Sequence, residues 1–430
     1  MSREPVRTLY SCRECGAEAL RWEGRCPSCG QWNTLTETTR GGPRREASSW
    51  LSSRPGVPQE LSHVTLEDFD RIELALGEFN RVLGGGLVRG SLVLVGGDPG
   101  VGKSTLLLQV GGALAQGRGP VLYVSGEESI QQIKLRAQRL GIEGQGFHVL
   151  AETDMARVLQ QMDDLSPTVA VIDSIQSIAF PDLPGGPGTI GQVRECGLAL
   201  LRWAKERGVP IFVTGHVTKE GSLAGPRTLE HKVDVVLYLE GGNLGSYRLL
   251  RGEKNRFGST NEVGVFEMRD GGLAGVANPS EVALAARGSH TVGSAIVPVM
   301  EGTRPMLVEI QALTTPSSLP APRRVANGVE MGRLLMVIAV LARRAGVPLL
   351  GQDIIVNVAG GFRATEPAAD LGMALALASS LRNTPLANGM AAMGEIGLGG
   401  ELRSISQLSR RLGELGHMGF ESCLLPQSAI

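Results

Sequence analysis

The residues with the most chemistry in their spacing are Gly97-Asp98-Pro99-Gly100-Val101-Gly102-Lys103-Ser104, followed by Thr105. They satisfy G-x-x-x-x-G-K-[ST] in full. In that pattern backbone N–H groups of a glycine-rich turn cradle phosphates. Lys103 reaches the β/γ-phosphates, and Ser104 helps hold Mg²⁺. The plain alternative is a chance glycine-rich turn. The flanks argue against it, because Ser91–Val95 reads as a buried strand and Thr105–Val110 as the start of a helix. A strand, a tight turn and a helix N-terminus form an anion site by construction.

Two carboxylate positions fit hydrolysis of a bound nucleoside triphosphate. Thr168–Ile172 is an apolar run ending in Asp173, the pattern whose Asp holds the Mg²⁺ shell. Val121–Val124 is a second strand, ending in Ser125-Gly126-Glu127-Glu128-Ser129. A carboxylate there can polarise an attacking water, and Glu127 is the first candidate, with Glu128 in reserve. The alternative makes both of them helix-start carboxylates favoured by the helix dipole. Ile133, Ala137 and Leu140 mark the apolar face of that helix. A third strand, Val209–Val213, leads to His216, a candidate γ-phosphate sensor or a structural loop histidine.

Lys254 and Arg256 stand in Lys254-Asn255-Arg256-Phe257-Gly258, after the strand Tyr247–Arg251 and before Glu262–Phe266. An i, i+2 pair on a strand faces one side, so both cations can meet one anionic group. Cations supplied by a neighbouring subunit stabilise a transferring phosphoryl group; the alternative is a solvated edge-strand pair.

At the other end of the chain, Cys12, Cys15, Cys26 and Cys29 form two C-x-x-C knuckles, each followed by glycine. Four thiolates make a closed, structural zinc site without an open catalytic position. A redox dithiol pair and plain buried cysteines are the alternatives. So small a module depends on its metal for folding, and Trp22 and Trp32 are expected to pack against it. Cys196 and Cys423 are isolated, so the six cysteines are not a disulfide framework.

The elements that must position these groups fall into four stretches. Residues 1–36 are the zinc-binding module. Residues 37–62, rich in Gly, Pro, Ser and Arg, read as a flexible linker. Residues 63–277 read as one α/β domain. Its two long loops, Phe180–Thr189 and Lys219–Arg227, follow strand ends, where open α/β sheets carry their working face. Residues 278–430 change in texture to α+β. Val292–Met300, Met306–Leu313 and Ile354–Val358 are expected strands there, and Met331–Ala345 and the small-residue Asp370–Leu381 are expected helices. A turn-rich hairpin over 394–401, a further helix and a strand at Ser422–Pro426 follow. The stop just after that strand suggests a missing C-terminal piece.

The 430 residues allow two or three domains, and 42% hydrophobic residues allow sizeable cores. A formal net charge of −1 excludes a basic nucleic-acid coat and confines any such contact to local patches or a channel. The N-terminus lacks the apolar core of a signal peptide, and the run near Leu334–Ala342 is too short to span a bilayer. The chain reads as cytoplasmic with no membrane partner.

Taken in order, the zinc knuckles, the phosphate loop within Leu83–Thr105, Ser125–Ser129 and Lys254–Gly258 resemble the bacterial RadA (Sms) DNA repair family over essentially the whole chain. The resemblance implies a RecA-like P-loop ATPase core with an N-terminal zinc ribbon, using ATP, Mg²⁺ and Zn²⁺. It implies a hexameric homo-oligomeric ring that translocates on single-stranded DNA and processes branched DNA in recombination, with the RecA recombinase as partner. Lys103, Ser104 and Asp173 then take the nucleotide and Mg²⁺ roles, and Glu127 takes the water-activating role. Lys254 and Arg256 act across the subunit interface, and the four cysteines ligate zinc. The last domain looks like a Lon protease proteolytic domain, whose Ser–Lys dyad would fall near Ala368 and Ser409. No lysine occurs from Asn255 to Ile430, so a Ser–Lys protease is not expected. The domain reads as an assembly scaffold, with a DNA-binding surface as a further option. Two other readings stay open at this point. One is a KaiC-like ATPase or autokinase; the other is a DNA clamp that binds ATP only to assemble.

Overall fold

A computed structural model of the chain describes residues 7–40, 58, 60–63, 71–216, 227–241, 246–285, 288 and 291–429. Most of the 37–62 linker, and residues 219–226 of the second long loop, lie outside the described residues. The chain forms two compact units. One comprises Met1–Glu240, Arg248–Thr260 and Phe266–Gly275, and the other Gly241–Tyr247, Asn261–Val265 and Val276–Ile430.

The first unit opens with a small antiparallel sheet of β1 (Arg7–Cys12), β2 (Glu18–Ala19) and β3 (Leu35–Arg40), in the order β2-β1-β3. Among the described residues its hydrophobic centre is Cys12, Cys26 and Leu35, with Tyr10, Cys15, Ala17 and Ala19 against it. The expectation that Trp22 and Trp32 pack there is corrected, since they are 56% and 69% exposed. The backbone of Trp32 is instead bridged to that of Arg25, whose guanidinium lies over the indole.

Next come α1 (Gly77–Leu83), β4 (Leu92–Gly97), α2 (Lys103–Arg118), β5 (Val121–Ser125), α3 (Ile130–Arg139), β6 (Phe147–Ala151), α4 (Met155–Leu165), β7 (Val169–Asp173), α5 (Ile190–Arg207), β8 (Ile211–His216), α6 (Arg227–Glu230), β9 (Val235–Glu240), β10 (Tyr247–Asn255), β11 (Val263–Arg269) and β12 (Gly272–Gly275). Their strands form one nine-stranded sheet, ordered β12-β11-β10-β9-β4-β8-β7-β5-β6. From β9 to β6 all pairings are parallel, and β10 returns antiparallel along β9. Successive side chains point to opposite faces. Val93, Val95, Val121, Tyr123, Val169, Val171 and Phe212 therefore join α1, α2 and α3 in one layer. Leu92, Leu94, Leu122, Val124, Ala170, Ile172, Ile211 and Val213 meet α4 and α5 in the other. Burial on both faces is why these strands read as unbroken apolar runs.

The second unit adds α7 (Pro279–Leu284), β13 (Ser294–Glu301), β14 (Arg304–Pro316), β15 (Arg324–Asn327), α8 (Met331–Arg344), β16 (Gln352–Val358), α9 (Asp370–Arg382), β17 (Met390–Ala392), β18 (Glu395–Ile396), β19 (Leu402–Arg403), α10 (Leu408–His417) and β20 (Ser422–Leu424). Six strands form a mixed sheet, ordered β15-β16-β14-β13-β17-β20, and β18 pairs with β19. Ile296 and Leu307 face a cluster with Leu284 and Leu415. Val297, one residue on, meets α9 at Gly372, where a Cβ would lie 2.2 Å from a Val297 methyl. That close approach accounts for glycine at position 372 of α9.

Candidate functional site

The site is assembled at the carboxyl ends of adjacent parallel strands. β4 ends in Gly97, β8 at His216, β7 at Asp173 and β5 at Ser125. Gly97 needs its φ of +146°, and a Cβ there would lie 2.3 Å from the Leu239 carbonyl oxygen, so only glycine fits. The turn then delivers Lys103 as the first residue of α2. Its Nζ donates to the carbonyls of Gly97 at 2.8 Å and Asp98 at 3.0 Å. Burial pulls the Lys103 pKa below its ordinary value, while Asp173, Asp98 and Glu127 pull it the other way. The structure thus brings Lys103, Asp173 and Glu127 into one electrostatic neighbourhood.

Asp173 is held on both oxygens. Thr214 Oγ1 donates to Oδ1 at 2.5 Å, and the Tyr123 hydroxyl donates to Oδ2. Burial, then the adjacent Asp173 charge, pushes the Tyr123 pKa well up, so this group stays a donor. The peptide between Asp173 and Ser174 is cis.

The two candidate bases separate. Ser174 Oγ donates to Glu127 Oε1 at 2.5 Å. Glu128 is tied to Arg136 of α3 by an ion pair. Neither residue lies within α3, which begins at Ile130 and is capped by Ser129 with Gln132 in a reciprocal box. Ser104 follows Lys103 in the first turn of α2, with Thr105 next. Gly100, with φ +74°, faces open space. This donor set fits a Mg²⁺–polyphosphate: backbone N–H groups at a helix start, one ammonium, a hydroxyl and an oriented carboxylate. His216 lies beside Gly97 in the β4/β8 register; its side chain is outside the described residues.

Lys254 and Arg256 are not brought to this loop. β10 runs antiparallel to β9, and Asn255 pairs with Val235 while Leu249 pairs with Glu240. Both cations therefore sit toward the opposite end of the strands from Gly97. β10 is longer than the sequence suggested and carries an irregularity between Gly252 and Lys254. Both side chains converge on the segment Glu230–Asp234. Burial, with Arg256 nearby, lowers the Lys254 pKa.

The four knuckle sulfurs lie within 4.8 Å of one another. Cys12 and Cys29 Sγ are 3.6 Å apart, and Cys15 and Cys26 Sγ 3.5 Å. Tetrahedral zinc with bonds of about 2.3 Å separates its sulfurs by roughly 3.8 Å, so the residues fit that ion. The N–H groups of Gly16 and Gly30 return to the Cys12 and Cys26 carbonyls, closing each knuckle.

In the second unit, Ala368 is buried ahead of α9 and Ser409 lies on α10. Neither position carries a Ser–Lys dyad. Nearby, the buried Arg411 forms an ion pair with the half-buried Glu366.

Sequence reasoning missed Tyr123, Thr214 and Ser174 as supports of the carboxylates. Tyr123 carried a signal: a tyrosine inside an aliphatic strand needs a partner for its hydroxyl once buried.

A phosphate loop on a parallel sheet, a strand-end carboxylate on β7 and antiparallel strands beyond β9 define a RecA-like P-loop ATPase core, here joined to a four-cysteine zinc ribbon. Family models match in three places: an AAA domain over residues 58–222, a rubredoxin metal binding domain over 10–37, and the ChlI subunit of Mg-chelatase over 336–429. The chain is 49% identical to the DNA repair protein RadA of Bacillus subtilis, over 98% of this chain and 93% of that one. It is 49% identical to that of Halalkalibacterium halodurans (98% and 92%), and 46% to that of Listeria monocytogenes (100% and 94%). The chain belongs to the DNA repair protein RadA family. Among solved structures, a KaiC-like protein of Pyrococcus horikoshii matches at TM-score 0.42 and 22% identity, covering 48% of this chain and 99% of that one. No helix of the described residues is long and apolar enough to cross a membrane.

Proposed function

We propose that this protein is a cytoplasmic, ATP-driven DNA motor acting in homologous recombination and repair. In this reading it translocates on single-stranded DNA as a hexameric ring, processes branched intermediates and works with the RecA recombinase. The observation that carries the reading is the meeting of Lys103, Glu127 and Asp173 beneath one phosphate loop, in a chain of the RadA family. Lys103 and the N–H groups of Gly97–Thr105 hold the phosphates. Ser104 and Asp173 would hold Mg²⁺, which would supply charge neutralisation at the phosphates when bound. Glu127, oriented by Ser174, orients and deprotonates water. The site is completed by a cation from the Lys254–Arg256 stretch of a neighbouring subunit. The zinc ribbon over 1–36 is a structural module, 63–277 the motor, and 278–430 a scaffold resembling the Lon proteolytic domain but without its dyad.

The test is ATP turnover and strand displacement on forked DNA, with and without RecA. Turnover stimulated by single-stranded DNA, together with displacement that Lys103→Ala abolishes, supports the motor. DNA binding without turnover replaces it with an ATP-assembled clamp.

A further inference from the structure

In the mixed sheet of the second unit, β14, β16 and β15 expose part of one face to solvent. We propose that this face, with the cavity beside it, binds the carboxyl terminus of a partner polypeptide whose last side chains are apolar.

Two rows of side chains cross these strands. Leu313 pairs with Ile355, and Ile355 with Val325. Two residues along, Gln311 pairs with Asn357, and Asn357 with Asn327. Alternate residues of a strand share a face, so the two rows lie side by side. Thr314 Oγ1 meets Ser380 Oγ of α9 at 3.2 Å, which puts Leu313 on the face away from that helix. Ala312, Ile354 and Val356, pointing the other way, are buried. Leu313, Ile355 and Val325 are 60%, 44% and 39% exposed. A contiguous apolar row left to solvent marks an interaction surface.

The amide row gives this surface its chemistry. Each Asn or Gln side chain sets an acceptor beside two donors, which matches the N–H and C=O of an extended peptide backbone. Asn327 and Asn357 make no side-chain hydrogen bond among the described residues. Gln311 spends one donor on Glu309 Oε2 at 3.1 Å, and Ser294 Oγ donates to the other oxygen of that buried carboxylate. Glu309 is thus engaged within the sheet.

The amide row runs into a cavity of about 510 Å³, whose lining includes Asn327, Asn357 and Arg363. That volume suits the end of a ligand, and the walls are preformed. Gly328 has φ +78°, and a Cβ there would lie 2.7 Å from the Phe362 carbonyl oxygen. The Ala364 N–H donates to the Gly328 carbonyl at 2.7 Å, and the buried Phe362 ring stacks on Tyr247 at 5.7 Å. Arg363 stands between these two anchors, exposed, and is the one charged residue of the lining. Its guanidinium has no partner among the described residues.

One guanidinium in an otherwise neutral cavity selects a single anionic group, and its fork matches a carboxylate. A polyphosphate draws on several cations or a helix N-terminus, and a nucleic-acid strand on a run of cations; this lining supplies neither. Apolar side chains for the first row, backbone groups for the amide row and one carboxylate for Arg363 are together what a peptide end presents.

The test is an array of peptides tethered by their amino ends, with the last few positions varied, each in free-acid and amidated form, probed with the full-length protein. Free acids ending in apolar residues are expected to capture the parent about tenfold or more better than their amides, the scale of a lost charge-assisted hydrogen bond. Arg363→Gln is expected to lose that preference, and Ile355→Ser to lose capture by the apolar-ended peptides. Both should keep the parent's melting curve, because both side chains are exposed. Capture by no free-acid peptide, or equal capture by acids and amides, overturns the proposal, as does a preference that survives Arg363→Gln. Displacement of the captured parent by pyrophosphate but not by acetate also overturns it, and would assign Arg363 to a phosphate ligand.

Discussion

Ser174 Oγ donates to Glu127 Oε1 at 2.5 Å, while Glu128, the next residue, is bound to Arg136. Adjacent carboxylates are thereby given different tasks. The first faces the strand end that carries Asp173; the second is neutralised against α3. Glu127→Gln should lower turnover by at least about a hundredfold, the usual scale for a general base. Binding of a fluorescent ATP analogue should persist. Glu128→Gln should stay within about threefold. Steady-state ATPase assays with equilibrium nucleotide binding check both, and equal losses for the two variants would reject the assignment.

The Tyr123 hydroxyl bears on the same network. Tyr123→Phe keeps the buried ring and removes one of the two donors to Asp173, leaving Thr214. A hydrogen bond to a charged group contributes about 1.5–3 kcal/mol, so turnover should fall about tenfold or somewhat more. The ATP KM should change little. The direct readout is Mn²⁺ affinity in the presence of ADP, measured by electron paramagnetic resonance. Unchanged Mn²⁺ affinity together with unchanged turnover would mean that Thr214 alone orients Asp173.

The zinc knuckles give a prediction about metal removal. The parent should carry about one zinc per chain by atomic absorption, and Cys26→Ser well below that. Because the described residues of the module bury so few apolar side chains, loss of metal should unfold residues 10–37. Limited proteolysis should then cut within that stretch, while the melting of the P-loop core stays in place. Intact, protease-resistant knuckles after chelation would show that the module folds without metal.

Legibility in the sequence followed burial. β4, β5, β7 and β8 are buried on both faces, and each was visible as an apolar run. The edge strand β6, only half-buried, has its apolar run interrupted by His148 and was missed. The phosphate loop and the knuckles were legible because their chemistry is local in sequence. The supports of Asp173 were not, because Tyr123 and Thr214 matter only once β5 and β8 flank β7. The surroundings of Lys254 and Arg256 were hidden for a similar reason. They are created by the turn at Glu230–Asp234, 20 or more residues upstream of each cation.

Arg411 offers the last prediction, and it concerns stability. Its side chain is 1% exposed, and Nη1 and Nη2 each donate to one oxygen of Glu366 at 2.6 Å. Nη1 also donates to the Pro298 carbonyl at 2.6 Å and Nε to that of Ser406 at 3.0 Å; Glu366 Oε1 accepts from the Met300 N–H at 2.8 Å. This single pair therefore ties α10, β13 and the approach to α9 together, in the region where the Lon resemblance would place a dyad. Removing one partner of a fully buried pair costs about 3–5 kcal/mol, because the other charge is left uncompensated, and partial exposure of that charge lowers the cost. Arg411→Met should lower the unfolding free energy of the second unit, read from its urea midpoint and slope, by somewhat less than that, because Glu366 keeps 26% exposure, and leave nucleotide binding by the first unit unchanged. The double variant Arg411→Met/Glu366→Leu, which removes both charges, should recover much of the loss. A double variant no more stable than Arg411→Met would mean that the lost carbonyl contacts to Pro298 and Ser406, rather than the stranded carboxylate, account for the cost.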